Sequence, residues 1–156
     1  MTRELKIRIA DYLKTEKKLK SLGATFIEAQ TFTDIYFKQT PGKILKLAKV
    51  NNNYYQSVLR AVNGKFEFIK KQPLKESEVE KIKNELTKKY GIKRILKGRR
   101  RNFLLGEFMI TLNLIEDIGN FLILIGENPN EKFIREKLGI KNPEYIRVSF
   151  DELQKQ

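Results

Sequence analysis

Charge and apolarity alternate residue by residue through Glu4-Leu-Lys6-Ile-Arg8-Ile9. A period of two belongs to a β-strand, because successive strand side chains point to opposite faces. Glu4, Lys6 and Arg8 then share one face with Thr2, while Leu5, Ile7 and Ile9 share the other. A strand with both signs of charge on one face has two settings. It is the solvated side of a sheet, or it lines a polar cavity.

The remainder of the chain supplies more strands. Residues 25–38 are rich in β-formers, and 44–50, 54–62, 65–71, 92–105, 107–114 and 121–125 read as further strands. Turns fall at Pro41-Gly42, at Asn51-Asn52-Asn53 and at Asn63-Gly64, the strongest hairpin signal present. Pro73 is expected to break the chain after them. Helices are predicted from Asp11 to Leu22, over 75–89 and over Asn128–Leu138. Asp11 is a natural N-cap, and Gly23 and Gly91 are natural stops. The tail Tyr145–Leu153 is expected to be a short strand or a turn. About eight antiparallel strands joined as a meander predict an α+β fold: a closed β-barrel or tunnel with about three helices packed outside. Helices outside would cover the apolar strand faces, leaving the polar faces to turn inward. A single domain is expected over residues 1–156.

Composition narrows the chemistry. The chain holds no cysteine and no histidine. A disulfide framework, a thiol nucleophile and a histidine general base are thereby excluded. Carboxylates, Lys, Arg, Tyr, hydroxyls or an oxygen-bound Mg²⁺ or Mn²⁺ remain. The longest apolar run, Phe121–Ile125, is of strand length, so neither a membrane span nor a signal peptide is expected, and a cytoplasmic location is. Abundant Lys and Ile suit a thermophile. The net charge of +13 favours polyanionic partners.

Strand parity nominates the residues that would meet such a partner. Lys6 and Arg8 come from the first strand, Lys46 from 44–50 and Arg60 from 54–62. Glu67 lies between Phe66 and Phe68. On 92–105, Lys97, Arg99 and Arg101 share one face and Arg94 and Arg100 the other, and parity does not say which of Arg99, Arg100 and Arg101 faces a cavity. Arginine grips phosphate oxygens in pairs and lysine adds a compact charge, while carboxylates hold a metal that bridges phosphates.

The order of these features resembles the CYTH superfamily, the triphosphate tunnel proteins that include class IV adenylyl cyclases, thiamine triphosphatases and tripolyphosphatases. Thr2-Arg-Glu4-Leu-Lys6 is similar to the opening Glu-x-Glu-x-Lys of that family. Asp34-Ile-Tyr36-Phe37 resembles its Asp-x-Tyr-Phe, and Leu45-Lys46-Leu-Ala48 its Leu-Arg-x-Arg. Leu112 through Phe121 resembles a later acidic, glycine-containing stretch, and Ser149-Phe150-Asp-Glu-Leu153 its ending. The resemblance implies a tunnel in which Lys6, Arg8, Lys46, Arg60, Lys97, Arg99 and Arg100 bind phosphate and Glu4 and Glu67 hold Mg²⁺ or Mn²⁺. The partner it implies is a tripolyphosphate, a nucleotide or a thiamine triphosphate-like anion. Members of that family often dimerise, and nothing in this sequence bears on whether this chain does.

The departures are as informative. Family acids are replaced at Thr2, Asn113, Ile123 and Ile125, and the second arginine of Leu-Arg-x-Arg is Ala48. Losing acids while keeping bases should preserve anion binding and weaken hydrolysis. The expected function is therefore phosphorylated-anion binding with weak or absent phosphohydrolase activity. A divergent Mg/Mn-dependent triphosphatase or adenylyl cyclase, with Glu107, Glu116 or Glu127 as relocated metal ligands, is the first alternative. A nucleic-acid-binding protein is the second, because residues 88–101 carry eight basic side chains and no acid.

Overall fold

The turn at Asn63-Gly64 holds φ values of 51° and 76°, the left-handed pair that a two-residue hairpin turn needs to match strand twist. It joins two of the nine strands among the described residues. In chain order these are β1 Arg3–Arg8, β2 Thr25–Phe37, β3 Lys43–Val50, β4 Asn53–Val62, β5 Lys65–Leu74, β6 Ile92–Leu105, β7 Phe108–Ile115, β8 Gly119–Gly126 and β9 Glu144–Ile146. Helix α1 (Tyr12–Ser21) follows β1, and α2 (Glu76–Tyr90) separates β5 from β6. The computed structural model describes residues 2–155.

The strands pair antiparallel in the order β5-β4-β3-β2-β6-β7-β8-β1, and β1 pairs back to β5, closing an eight-stranded barrel. The closing register sets Arg3 opposite Glu67 and Glu4 opposite Phe66. β5 takes only the first residues of β1. The rest of that edge goes to β9, which aligns Ile146 with Lys6 and Glu144 with Arg8. The tail is thus both a short strand and a turn. After β9 it enters the barrel as a 3₁₀ turn at Phe150–Glu152.

Three apolar clusters follow from this closure. One fills part of the interior, with Phe32, Tyr36, Phe66, Phe121, Ile123 and Phe150 among its members. A second lies outside, where α1 and a five-residue π-helical turn (Phe133–Lys137) bring Leu19 and Ile134 against Ile7, Phe103, Leu122 and Leu124. In the third, Ile82 and Leu86 of α2 pack on Phe37, Leu45 and Leu47. β8 is apolar on both faces because it is buried on both: Phe121 and Ile123 look in, Leu122 and Leu124 look out.

Local signals act where expected. Asp11 caps α1 by accepting the Lys14 amide at 3.0 Å, and Glu78 accepts the Lys75 amide at the start of α2. Two expectations are corrected. Pro73 does not break β5, which runs on to Leu74. Beyond Glu67 that strand has no β1 neighbour on its outer edge, so a missing amide costs no ladder bond there. The helix expected over Asn128–Leu138 is only two α-helical residues and the π-helical turn, closed by a Leu138 amide to Phe133 carbonyl bond. Among the described residues no helix is long and apolar enough to cross a membrane.

Candidate functional site inside the barrel

Antiparallel partners share a face, so register assigns every charged strand residue to the inside or the outside. Lys6 pairs with Ile123, Glu4 with Phe66, Lys46 with Tyr36 and Ser57, and Arg100 with Asn113. All four charged side chains therefore point inward. Asp34 and Tyr36 of β2 join them.

Lys6 is the most buried of these cations, at 5% exposure. Its ammonium sits 3.7 Å from Glu4 and between the rings of Phe66 and Phe150, 4.1 and 4.2 Å from their centroids. Burial lowers its pKa to about 8, with Lys46 pushing the same way and Glu4, Asp34 and Asp151 opposing. Lys46 is 3.2 Å from Asp34. The other Asp34 oxygen is buried with no protein partner, as is Nε of Arg100. The Arg100 guanidinium stacks 4.2 Å over the Phe32 ring. Burial, then the charges of Asp34, Asp151 and Glu4, push the Tyr36 hydroxyl well above its ordinary value, which keeps it a neutral donor.

One cation was not foreseen. Lys71 pairs with Ser57 and so turns inward. Its pKa is lowered by burial and by the nearby charges of Arg100 and Lys46. A β-bulge on β5 leaves Ile69 unpaired between Phe68, opposite Leu59, and Lys70, opposite Val58, reversing the parity that would have put Lys71 with Glu67. Lys46, Lys71 and Arg100 are the more accessible cations, with Lys6 below them. Four cations thus face one interior, and like charges held together raise the cost of one another's protonation.

The opposite end is closed. Phe150 packs on Phe121 with ring centroids 4.7 Å apart. Asp151 is held 2.9 Å from Lys93 and by the Ser149 hydroxyl, while Arg94 donates to the carbonyls of Asp151 and Leu153. Arg8 points inward at this end, with its guanidinium bonded to Glu144 at 2.7 Å and to the Ile118 carbonyl.

Several nominated residues lie elsewhere. Arg60 and Glu67 are partners on the outer wall, 3.0 Å apart, and Arg3 joins them at 3.2 Å. The Arg60 guanidinium, assisted by Arg3, holds the Glu67 carboxyl below its usual value. Glu4 and Glu67 thus stand on opposite faces of the sheet and cannot share one metal ion. Lys97 and Arg99 also face outward: between them Gly98 pairs with Phe32, whose ring is inside. Arg101 is outside too, bonded to Glu16 of α1. Of the three arginines left open, Arg100 is the inward one. Glu107, Glu116 and Glu127 are exposed residues outside the strands.

A resident metal does not fit this arrangement. Among the described residues no three acidic side chains gather into a metal-binding group. The interior acids Glu4 and Asp34 each already face a lysine.

No family model and no curated protein matches the sequence. Solved structures do match its fold. A protein of Pyrococcus horikoshii superposes with a TM-score of 0.83 at 23% identity, covering 99% of this chain and 99% of that one. A candidate adenylate cyclase from Vibrio parahaemolyticus gives 0.65 at 20% identity, over 88% and 83%. A candidate adenylyl cyclase from Hippeastrum, described with a dominant triphosphatase activity, gives 0.64 at 13% identity, over 96% and 92%.

Proposed function

The chain has the CYTH, or triphosphate-tunnel, fold, and from that premise we propose that it binds a phosphorylated anion inside the barrel and hydrolyses it weakly or not at all. One observation carries this reading: Lys6, Lys46, Lys71 and Arg100 converge on an interior that holds Glu4 and Asp34. These four cations outnumber Glu4 and Asp34, each of which already faces a lysine.

The anion would approach from the side of Lys46, Lys71 and Arg100. Phosphate oxygens would take over the lysine now facing Asp34, and the unpartnered Nε of Arg100 is a ready donor. Tyr36 would donate from its neutral hydroxyl. A Mg²⁺ or Mn²⁺ ion would be brought by the phosphates rather than held in advance. Hydrolysis also needs an attacking water activated within the site. Asn113, Ile123 and Ile125 supply no base where the resembling family has acids, and Glu4 is held by Lys6.

Isothermal titration with tripolyphosphate, thiamine triphosphate and ATP, each with and without Mg²⁺ and Mn²⁺, tests binding. Phosphate or pyrophosphate release under the same conditions tests turnover. Binding should occur and weaken at least tenfold in Lys46→Gln and Arg100→Gln, with turnover far below the ordinary enzyme range of ~1 s⁻¹ and above. Turnover within that range would sink the inactive reading; no binding at millimolar ligand would sink the site.

A further inference from the structure

Lys97 and Arg99 belong to a different surface from the barrel interior. Across β2 and β6, Thr33 pairs with Lys97 and Thr31 with Arg99, all four facing out. They floor an open hollow of about 500 Å³ that neither α1 nor α2 fills. A second hollow of about 510 Å³ adjoins it through Thr31 and Thr33 and reaches Lys49, Asn51 and Asn52. A third, of about 330 Å³, shares Thr31 and Arg99 and reaches Arg101 and Tyr12. Thr31 is common to all three, so they form one groove.

Its charge is nearly of one sign. Lys49, Lys97 and Arg99 take part in no ion pair among the described residues, and Glu116 is the one acid lining the three hollows. Some outer-wall cations elsewhere are neutralised, as Arg3 and Arg60 are by Glu67. An ordinary solvated face mixes its signs in that way. Here unpaired cations stand beside hydroxyl and amide groups, with Tyr54 beneath Lys49 at 5.7 Å. Thr33 sits between Lys49 and Lys97, so those two strands lie roughly 10 Å apart, and Lys97 and Arg99 lie roughly 7 Å apart along β6.

We propose that this groove docks the phosphodiester backbone of a single-stranded nucleic acid, without regard to sequence. Cations and hydroxyls on a strand face contact phosphates and carry no base information. Tyr12, which lines the third hollow, offers a ring on which a base can stack. Arg100 of the interior cradle also lines the third hollow, so the groove borders the cradle there, while Lys49, Lys97 and Arg99 face outward.

Fluorescence anisotropy of a labelled 20-nucleotide polyuridine, titrated with the full chain between 50 and 200 mM KCl, tests the proposal. Three neutralised phosphates predict a log–log salt slope of about −2. Lys97→Glu with Arg99→Glu should weaken binding more than tenfold, and Lys97→Gln with Arg99→Gln should weaken it in the same direction without adding acids. Lys46→Gln, inside the barrel, should leave it unchanged. No binding at 50 mM KCl overturns the proposal, as does binding that survives both outer-wall variants. Loss with Lys46→Gln would assign the RNA to the barrel interior instead. Equal, variant-sensitive binding to phosphatidylserine vesicles would make the groove a general anionic surface and would also overturn it.

Discussion

Lys6 concentrates the interior's electrostatics in one side chain. Its pKa of about 8 is below the 10.5 of an ordinary lysine. Between those values the folded chain binds fewer protons than the unfolded one, so stability contributed by this residue rises with pH across that window. Denaturant midpoints of the parent and Lys6→Met, compared from pH 7 to pH 10.5, should diverge in the parent's favour, by roughly 3 kcal/mol over the full window. A difference independent of pH would mean the ammonium is not buried as described. Gly98 is constrained differently. A β-carbon there would press on the Leu114 carbonyl oxygen and come within 2.8 Å of the Phe32 ring. Gly98→Ala should therefore destabilise the fold by about 1–3 kcal/mol, read as a lower urea midpoint at unchanged slope. Because that ring also carries the Arg100 guanidinium, the same variant should weaken anion binding.

At the scale of elements, the C-terminal strap matters most. β9 occupies the part of the β1 edge that β5 does not reach, and the turn after it places Phe150 against Phe121 and Lys6. Phe150→Ala should cost roughly 3 kcal/mol by leaving a cavity. It should also remove the ring that now covers the Lys6 ammonium, so tripolyphosphate affinity should rise in calorimetry even as stability falls. Affinity that falls together with stability would mean the strap only supports the barrel. The α1 cap is local by comparison: Asp11→Ala should lower stability by about 1 kcal/mol and leave anion binding untouched.

For the whole molecule, charge and closure act together. A +13 chain closed into a barrel has two walls, and each cation on a strand must fall on one of them. An anion bound inside, as proposed, would stabilise the folded state by mass action, by about 2.7 kcal/mol at a hundredfold excess over Kd. Tripolyphosphate should therefore raise the thermal midpoint of the parent and of Arg60→Gln alike, and fail to do so in a Lys46→Gln, Arg100→Gln double variant. Equal stabilisation of all three would place the ligand on the outer surface.

Much of this was legible in the residues. Alternation at Glu4–Ile9, the Asn63-Gly64 turn and the Asp11 cap depend on neighbours in the chain, so local chemistry settles them. The two-faced burial of Phe121–Ile125 was likewise written in its unbroken apolarity. What the sequence could not decide is which wall a charge occupies once several strands must agree. Parity runs only as far as the next irregularity, and the register shift between β4 and β5 turned Lys71 inward. Lys97, Arg99 and Arg100 are consecutive or alternate on one strand, and only pairing with Phe32 and Asn113 divides them between groove and cradle. Glu4 and Glu67 each precede an apolar residue, Leu5 and Phe68, yet barrel closure sets Glu4 beside Phe66 inside and Glu67 beside Arg3 outside. The alternation belongs to the chain; the side on which it lands belongs to the closed sheet, because register is fixed by contacts between residues far apart in sequence.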